Sequence, residues 1–292
     1  MYNPEGIIVA MVTPMKSNED IDEDRIRKLV NRYIEKGVHG IFCLSTNGEF
    51  FTLDMKEKTK IMEIVVEESR GRIPVLAGTG GITTREVIEL SKKAEKMKFD
   101  AVSVITPYFL TPSQNELYDH YRKIAETVSL PIILYNLPGR TGVCLEPDTV
   151  AKLSEIDNII GIKDSSGDFK KILRYINLTG EDFFVLSGND SLILWTLLAG
   201  GDGAVSGMAN IIPELVVSIY NYWQNGKTEK ARLYQEKLRP LRDAMKLHTF
   251  PSLVKKAMEI QGCPVGPSRD PVSAPSTELA EKISEILEQY QL

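Results

Sequence analysis

The segment PIILYNLPGRTGVCLEPDTVAKLSEIDNIIGIK, residues 131–163, contains two short apolar runs separated by an amphipathic stretch. The runs PIILY (131–135) and IIGIK (159–163) are rich in β-branched residues and are followed by turn-forming residues, a pattern typical of strands. The stretch at 146–154 has the spacing of a helix. The segment therefore predicts one strand–helix–strand unit.

The same alternation extends in both directions, from residue 6 to residue 225. Six further runs predict strands: GIIVAMV (6–12), GIFCL (40–44), PVLAG (74–78), AVSVI (101–105), FFVLS (183–187) and GAVSG (203–207). Helices are predicted at 22–36, 54–70, 83–97, 113–128, 146–154, 168–178, 190–199 and 212–225. Continuously apolar strands must be covered on both faces, which requires a parallel sheet wrapped by helices. Eight such units close a barrel, so the predicted fold class is an α/β (β/α)8 TIM barrel.

An open, doubly wound sheet is the alternative architecture for this alternation. Its dinucleotide-binding members carry GxGxxG after the first strand, whereas Thr13 and Pro14 stand there in this chain. After residue 225 the strand pattern stops, and helices are predicted at 227–247, 251–261 and 276–290. We therefore expect a barrel over residues 1–225 and a helical C-terminal extension over residues 226–292.

The composition excludes several classes of protein. With 42% hydrophobic and 26% charged residues among 292, the chain can bury a core and is not expected to be disordered. The formal net charge is -5 and no basic block stands out, so a nucleic-acid partner is not expected. No basic leader precedes the first apolar run, and no run approaches the ~20 apolar residues of a membrane span. We therefore expect no membrane association and a cytoplasmic location.

Cysteine and histidine give no indication of a disulfide framework or a metal site. Cys43, Cys144 and Cys263 are isolated and odd in number, which is typical of reduced thiols. The three histidines are His39, His120 and His248, and they form no HxH or HExxH pattern. Metal-dependent chemistry is therefore not expected.

Lys163 is the residue on which the functional interpretation depends. It ends the run IIGIK, and the reactive groups of a barrel lie where its strands end. An amine drawn into the barrel mouth loses water, which favours the uncharged, nucleophilic form that makes imines with ketones. The alternative is a structural lysine that reaches solvent or pairs with Asp164.

Tyr135 in the preceding run and Arg140 in the loop that follows it support the catalytic interpretation. Tyr135 ends the run PIILY at the height of Lys163 on the neighbouring strand, where a phenol can pass protons during imine formation. Arg140 follows in the same loop and offers a planar fork for a carboxylate.

The loop after the second run contributes small polar groups. In LSTNGEF (44–50), Ser45, Thr46 and Asn47 present two hydroxyls and an amide beside a glycine. They form a possible cradle for a substrate carboxylate, although turn-forming residues are expected after any strand.

Five motifs together resemble a known family. LSTNGEF, ITPYFLTPSQ, YNLPGRTG, GIKDSSGD and LSGND, in this order and at these spacings, resemble the dihydrodipicolinate synthase and N-acetylneuraminate lyase superfamily of pyruvate-dependent class I aldolases. The resemblance covers nearly the whole chain. It implies a barrel with a helical extension, usually a homotetramer built as a dimer of dimers, and keto-acid and aldehyde substrates. It also implies that no metal or organic cofactor is needed, and that backbone groups near Gly188 and Val205 line the pocket.

The resemblance further implies roles for single residues. Lys163 matches the Schiff-base lysine, and Tyr135 matches the tyrosine that relays protons. Thr46 matches the hydroxyl residue that links this tyrosine to the solvent side. Arg140 matches the arginine that holds the carboxylate of aspartate semialdehyde in the synthases.

The sequence departs from the synthase pattern at three places. Asn47 stands where synthases usually have a threonine of the pyruvate-carboxylate cradle, although its amide can still donate a hydrogen bond. Phe109 stands where synthases place a second tyrosine, which a neighbouring subunit contributes to the relay, so one hydroxyl is missing. Phe50 and Phe51 stand where lysine-inhibited synthases have small or polar residues, so lysine inhibition is not expected.

Three functions are compatible with these residues. Arg140 favours the synthase branch, which condenses pyruvate with L-aspartate 4-semialdehyde. The departures favour another lyase of the superfamily, a 2-keto-3-deoxy sugar acid (gluconate-type) aldolase, with N-acetylneuraminate and hydroxyproline-pathway lyases as the remaining alternatives. The third function is a keto-acid-binding regulatory protein without turnover, because the missing hydroxyl at Phe109 leaves the relay short of one member.

Overall fold

Eight parallel strands close into a barrel in the computed structural model, which describes residues 2–290. The strands are β1 (Gly6–Ala10), β2 (Gly40–Cys43), β3 (Val75–Gly78), β4 (Ala101–Ile105), β5 (Ile132–Asn136), β6 (Ile159–Asp164), β7 (Phe184–Ser187) and β8 (Gly203–Ser206). Neighbours in the chain pair with one another, and β8 pairs with β1. The predicted (β/α)8 barrel is confirmed, and the open sheet is not formed.

Several strand ends differ from the prediction by one or two residues. The strand β1 ends at Ala10 instead of residue 12, and the Val12 N–H bonds to the side chain of Asn210 at 3.1 Å. The strand β2 ends at Cys43 because Leu44 turns into the left-handed region with φ 55°. The strands β5 and β6 each continue one residue beyond their predicted ends.

Within the described part of the chain, twelve helices surround and extend the barrel. They are α1 (Glu23–Glu35), α2 (Met55–Ser69), α3 (Thr84–Lys96), α4 (Gln114–Ala125), α5 (Pro138–Thr141), α6 (Pro147–Leu153), α7 (Phe169–Leu178), α8 (Ile193–Leu198), α9 (Pro213–Gln224), α10 (Thr228–Ala244), α11 (Ser252–Ile260) and α12 (Thr277–Glu288). The one-turn helix α5 was not predicted. The helix predicted at 190–199 begins as a 3-10 turn, Asp190–Leu192, before α8.

The core has two layers. Inside the barrel, alternate strand residues such as Ile8, Phe42 and Ile133 form an inner cluster. The other strand faces pack against the helices in a larger outer cluster. Because side chains alternate along a strand, Tyr135 lies on the same face as Ile133 and enters the barrel above the inner cluster.

The C-terminal extension is tied to the loops after β1 and β2. The Met15 N–H donates to Val265 O at 2.9 Å, and Arg269 Nη1 donates to Thr52 O at 2.8 Å. Gly266 has φ 74°, and a Cβ there would clash with the Met15 carbonyl, so this close approach requires glycine.

The expected boundary at residue 225 falls between α9 and α10. Residues 1, 291 and 292, at the ends of the two expected segments, lie outside the described range.

Within residues 2–290, no helix combines the length and the apolar character needed to cross a membrane.

Candidate active site

Lys163 lies near the carboxyl end of β6 and points into the barrel. The residue is 4% exposed, and its Nζ lies 3.9 Å from the centre of the Tyr135 ring and 5.1 Å from that of Phe42. It forms no ion pair with any described residue. Asp164, the partner in the alternative interpretation, instead accepts a hydrogen bond from Asn136 Nδ2 at 2.7 Å. The amine is therefore free to react with a bound ketone.

Tyr135 lies beside Lys163 at the paired position of β5. Its hydroxyl is 3.2 Å from Thr46 Oγ1, and either group can donate the hydrogen bond. Both residues are buried. Two linked hydroxyls next to an amine can carry protons to and from a substrate oxygen. The structure thus brings together the three residues predicted to be catalytic.

The loop after β2 is held tightly against the end of β1. Leu44 and Glu49, near its two ends, both adopt left-handed backbone with φ 55°. Thr13 Oγ1 donates to Gly48 O at 2.7 Å. These constraints fix the segment between them, and Thr46 is thereby presented to the barrel interior.

Ser45 and Asn47 each use part of their hydrogen-bonding capacity to hold the loop. Ser45 Oγ accepts a hydrogen bond from the Gly48 N–H at 3.3 Å, which leaves its O–H free to donate. Asn47 Nδ2 donates to Ala10 O at 2.9 Å, so one of its two amide N–H groups holds the loop. Asn47 still lines the cavity that contains Lys163, whereas Ser45 lines a separate, smaller cavity.

Arg140 lies on α5 and lines a cavity of about 420 Å³ that Lys163 and Tyr135 also line. Its guanidinium carbon is 5.4 Å from the centre of the Phe250 ring, and it forms no ion pair within the described part of the chain. Unused donors at a cavity wall can bind a carboxylate in the bidentate manner. A larger recess of about 520 Å³, between α9 and the C-terminal helices, contains none of the predicted site residues.

The ends of β7 and β8 form another wall of the cavity. A side chain at Gly188 would clash with Ser165 and come within 3.0 Å of Lys163 Cε, so only glycine leaves room for the lysine. Val205 lies on β8 with its side chain in the inner cluster. Both predicted pocket residues line the cavity.

The C-terminal extension supplies a wall that sequence reasoning missed. The contributing residues are Arg242, Met245, Lys246, His248, Thr249 and Phe250. These residues lie far from Lys163 in the sequence, so no local pattern predicts that they line the same cavity. The only signal in the sequence is the basic cluster Arg242, Lys246 and His248, which could have indicated an anion site.

The site combines buried carboxyl groups with two guanidinium groups at the cavity wall. Burial raises the pKa of Asp190, while a hydrogen bond from Ser206 and the charge of Arg242 act in the opposite direction. Burial likewise raises the pKa of Asp164 against the hydrogen bonds it accepts. Arg140 and Arg242 place two guanidinium groups around the cavity, which favours anionic ligands.

Phe109 does not contact the relay of its own chain. It has φ 78°, is 90% exposed, and does not line the cavity around Lys163. Its neighbour Tyr108 packs instead against Phe50, with ring centres 6.1 Å apart. Among residues 2–290, Thr46 Oγ1 therefore has one hydrogen-bond partner, the Tyr135 hydroxyl.

The histidines lie apart from one another. His39 Nδ1 accepts from the Ile7 N–H at 3.0 Å, His120 bonds to Thr84 at 2.9 Å, and His248 lines the cavity. No group of three or more His, Cys, Asp or Glu residues in the described chain could hold a metal ion. The cysteines Cys43, Cys144 and Cys263 are unpaired.

Comparisons with known proteins agree with this arrangement. The profile of the Dihydrodipicolinate synthetase family matches residues 3–290. A 4-hydroxy-tetrahydrodipicolinate synthase of Methanopyrus kandleri is 43% identical over 98% of this chain and 95% of its own. One of Thermodesulfovibrio yellowstonii is 44% identical over 97% of each chain. The crystal structure of dihydrodipicolinate synthase from Aquifex aeolicus is similar with a TM-score of 0.95 at 35% identity, covering 99% of this chain and 98% of that one.

Proposed function

The chain belongs to the dihydrodipicolinate synthetase family of class I aldolase-type lyases, and on this basis we propose that it condenses pyruvate with L-aspartate 4-semialdehyde. The product is 4-hydroxy-tetrahydrodipicolinate. The observation that carries the proposal is the buried Lys163 amine, adjacent to the Tyr135–Thr46 hydroxyl pair and in the same cavity as Arg140.

The first half of the reaction joins pyruvate to Lys163. The amine attacks the keto carbon, Tyr135 gives its proton to the keto oxygen and takes one from the nitrogen, and a carbinolamine results. A second proton from Tyr135 lets that oxygen leave as water, which produces the protonated imine. Loss of a proton from the methyl carbon then gives the enamine, so the proton taken up is returned.

The second half joins the enamine to the aldehyde. The enamine carbon attacks the aldehyde carbon, a carbon–carbon bond forms, and the aldehyde oxygen takes a proton. The amino group of the acceptor then attacks the imine carbon, which closes the ring, breaks the bond to Lys163 and releases the proton taken up. Arg140 orients this acceptor by its carboxylate. No metal ion or organic cofactor has a part in the proposed scheme, because the imine itself accepts the electron pair. We also propose that the reaction takes place in the cytoplasm.

Replacing Arg140 with alanine should weaken use of the carboxylated aldehyde. We expect kcat/KM for L-aspartate 4-semialdehyde to fall by about 30- to 1000-fold, equivalent to about 2–4 kcal/mol for a charge-assisted pair. The KM for pyruvate should change little. Arg232→Ala, which removes an exposed arginine outside the cavity, is the matched control. An unchanged kcat/KM in Arg140→Ala would remove Arg140 from this role.

A competition assay separates the candidate functions. The protein is incubated with pyruvate and equal concentrations of L-aspartate 4-semialdehyde and D-glyceraldehyde, and the products are identified by mass spectrometry. Consumption of the semialdehyde supports the synthase. Preference for glyceraldehyde, which has no carboxylate, would indicate a sugar-acid aldolase instead, and turnover of neither would favour a binding protein.

We also propose that the chain assembles as a homotetramer built as a dimer of dimers. Two separate apolar surfaces support this assembly. One consists of Leu173, Trp195 and Leu198 on α7 and α8, around an apolar recess. The other consists of Phe109 and Leu110 at the tip of the loop after β4. Exposed apolar patches of this kind mark association sites, and a dimer of dimers requires two of them.

Leu198→Asp should halve the mass of the particle in solution. A carboxylate in the centre of the first surface is costly to bury, so tetramers should dissociate into dimers. Light scattering after size-exclusion chromatography measures the mass. Leu233→Asp is the matched control, because Leu233 is 53% exposed against 48% for Leu198 but lies outside both surfaces. Equal masses for the two variants would contradict the assignment of this surface.

A further inference from the structure

A second, much smaller cavity lies behind the catalytic hydroxyl pair. Its polar lining comes from Ser45, Thr46, Ser103 and Tyr135, and its apolar lining includes Phe50. Thr46 and Tyr135 also line the large cavity that contains Lys163. Their hydrogen-bonded pair therefore forms a shared wall between the two cavities.

Ser103 brings an unpartnered hydroxyl to this small cavity. The residue lies on β4, opposite Gly78 of β3, and is 3% exposed. Its Oγ forms no hydrogen bond with any other described residue. A buried hydroxyl without a partner is unfavourable, and such groups are normally satisfied by protein or by an ordered water.

The size and lining of the cavity fit one water molecule. About 10 Å³ is open to a water-sized sphere, close to the roughly 10–15 Å³ that a single water requires. A buried water also needs two to four polar partners. The hydroxyls of Ser45, Thr46 and Ser103 supply three, and Thr46 has capacity for a second hydrogen bond beside the one it makes with Tyr135.

We propose that this cavity binds one water, held in place by Ser103, and that this water is the third member of the proton relay. The inference rests on the proposed function, since it concerns the proton path of that reaction. Ser103 is a positioning residue: it touches the water and not the substrate. The water takes the third position in the relay, because Phe109 has no hydroxyl that could fill it.

Each transfer along the relay breaks one O–H bond and forms another. When Tyr135 gives its proton to the substrate oxygen, Thr46 replaces it, and the water replaces the proton of Thr46. When the methyl carbon of the imine releases its proton, the same three oxygens carry it back to the water. The chain of oxygens therefore ends the cycle in its starting protonation state.

Removing the hydroxyl without adding volume tests the role of Ser103. Ser103→Ala does this, whereas a larger side chain would itself fill a cavity of this size. We expect Ser103→Ala to lower kcat by roughly tenfold, less than the full 10²–10⁴-fold effect of a general acid–base group because Tyr135 and Thr46 remain. The KM for pyruvate should stay within about twofold, since no pyruvate contact is lost.

The matched control is Thr196→Val. Thr196 is also fully buried, and its Oγ1 also forms no hydrogen bond with another described residue, but it lies on α8 outside both cavities. Its substitution should leave kcat unchanged. The solvent deuterium isotope effect on kcat should rise in Ser103→Ala only, because a purely structural change would not make proton transfer more limiting.

The outcomes separate the failure of this inference from the failure of the proposed function. If the wild type turns over pyruvate and the semialdehyde while Ser103→Ala has the same kcat and isotope effect, the water relay is wrong and the function stands. Equal losses in Thr196→Val and Ser103→Ala would also overturn it, because removal of any buried hydroxyl would then have the same effect. If the wild type itself does not react, the proposed function fails, and the relay fails with it.

Discussion

Replacing Lys163 with alanine should abolish turnover, lowering kcat by at least about 10⁴-fold. The variant keeps the cavity but has no amine to form the imine, and the two neighbouring hydroxyls cannot act as the electron sink. Steady-state kinetics measure the loss. Treatment with borohydride in the presence of pyruvate should label the wild type irreversibly, since it reduces the imine, and should leave Lys163→Ala unlabelled.

Lys170→Ala is the matched control for this experiment. Lys170 lies on the next helix, α7, and is exposed, so its removal should change neither kcat nor labelling. Retained turnover in Lys163→Ala would contradict the imine mechanism. Labelling without turnover in the wild type would point to a keto-acid-binding protein instead.

Replacing Lys255 with methionine should destabilise the protein by about 3–5 kcal/mol. Lys255 Nζ lies 2.6 Å from Glu49 Oε1, and the two side chains are 2% and 1% exposed. The same ammonium donates to Pro267 O at 2.7 Å. Without it, the Glu49 carboxylate would be left buried and unpaired, which is the main cause of the expected loss. Urea denaturation at fixed protein concentration measures the free energy of unfolding.

Lys256→Met provides the control on the same helix. Lys256 pairs with Glu259 at 3.1 Å, but both side chains are much more exposed, and such pairs contribute about 0–1 kcal/mol. The double substitution Glu49→Gln with Lys255→Met should recover part of the lost stability, because the unpaired charge is gone. If Lys255→Met were no more destabilising than Lys256→Met, the buried pair would not stabilise the fold as argued.

The barrel could be predicted from the sequence because its signals are local. Runs such as PIILY and IIGIK are apolar on both faces, and only a covered parallel sheet buries both. Strand ends were less accurate, because they depend on distant partners. Val12 does not belong to β1, because its N–H donates to the side chain of Asn210, a residue far away in the sequence.

The proximity of the residues proposed to be catalytic was also predictable, for a geometric reason. Parallel strands bring their carboxyl ends to one face of the barrel, so Tyr135 and Lys163 had to meet once their strands were paired. The hydrogen bonds of Asn47 and Ser45 could not be predicted, since they depend on the path of the loop after β2. The unpartnered hydroxyl of Ser103 was overlooked because a serine in an apolar strand gives no signal of its own.

Local apolar patterning and short motifs are enough to predict the fold, the family and the position of the amine at the barrel mouth. The surroundings of that amine depend instead on long-range contacts. The C-terminal extension brings Arg242 and Phe250 to the wall of the cavity. Its Lys255 forms an ion pair with Glu49 in the loop after β2. Such contacts join residues far apart in the chain, so they are set by how the packed elements meet and not by any local preference.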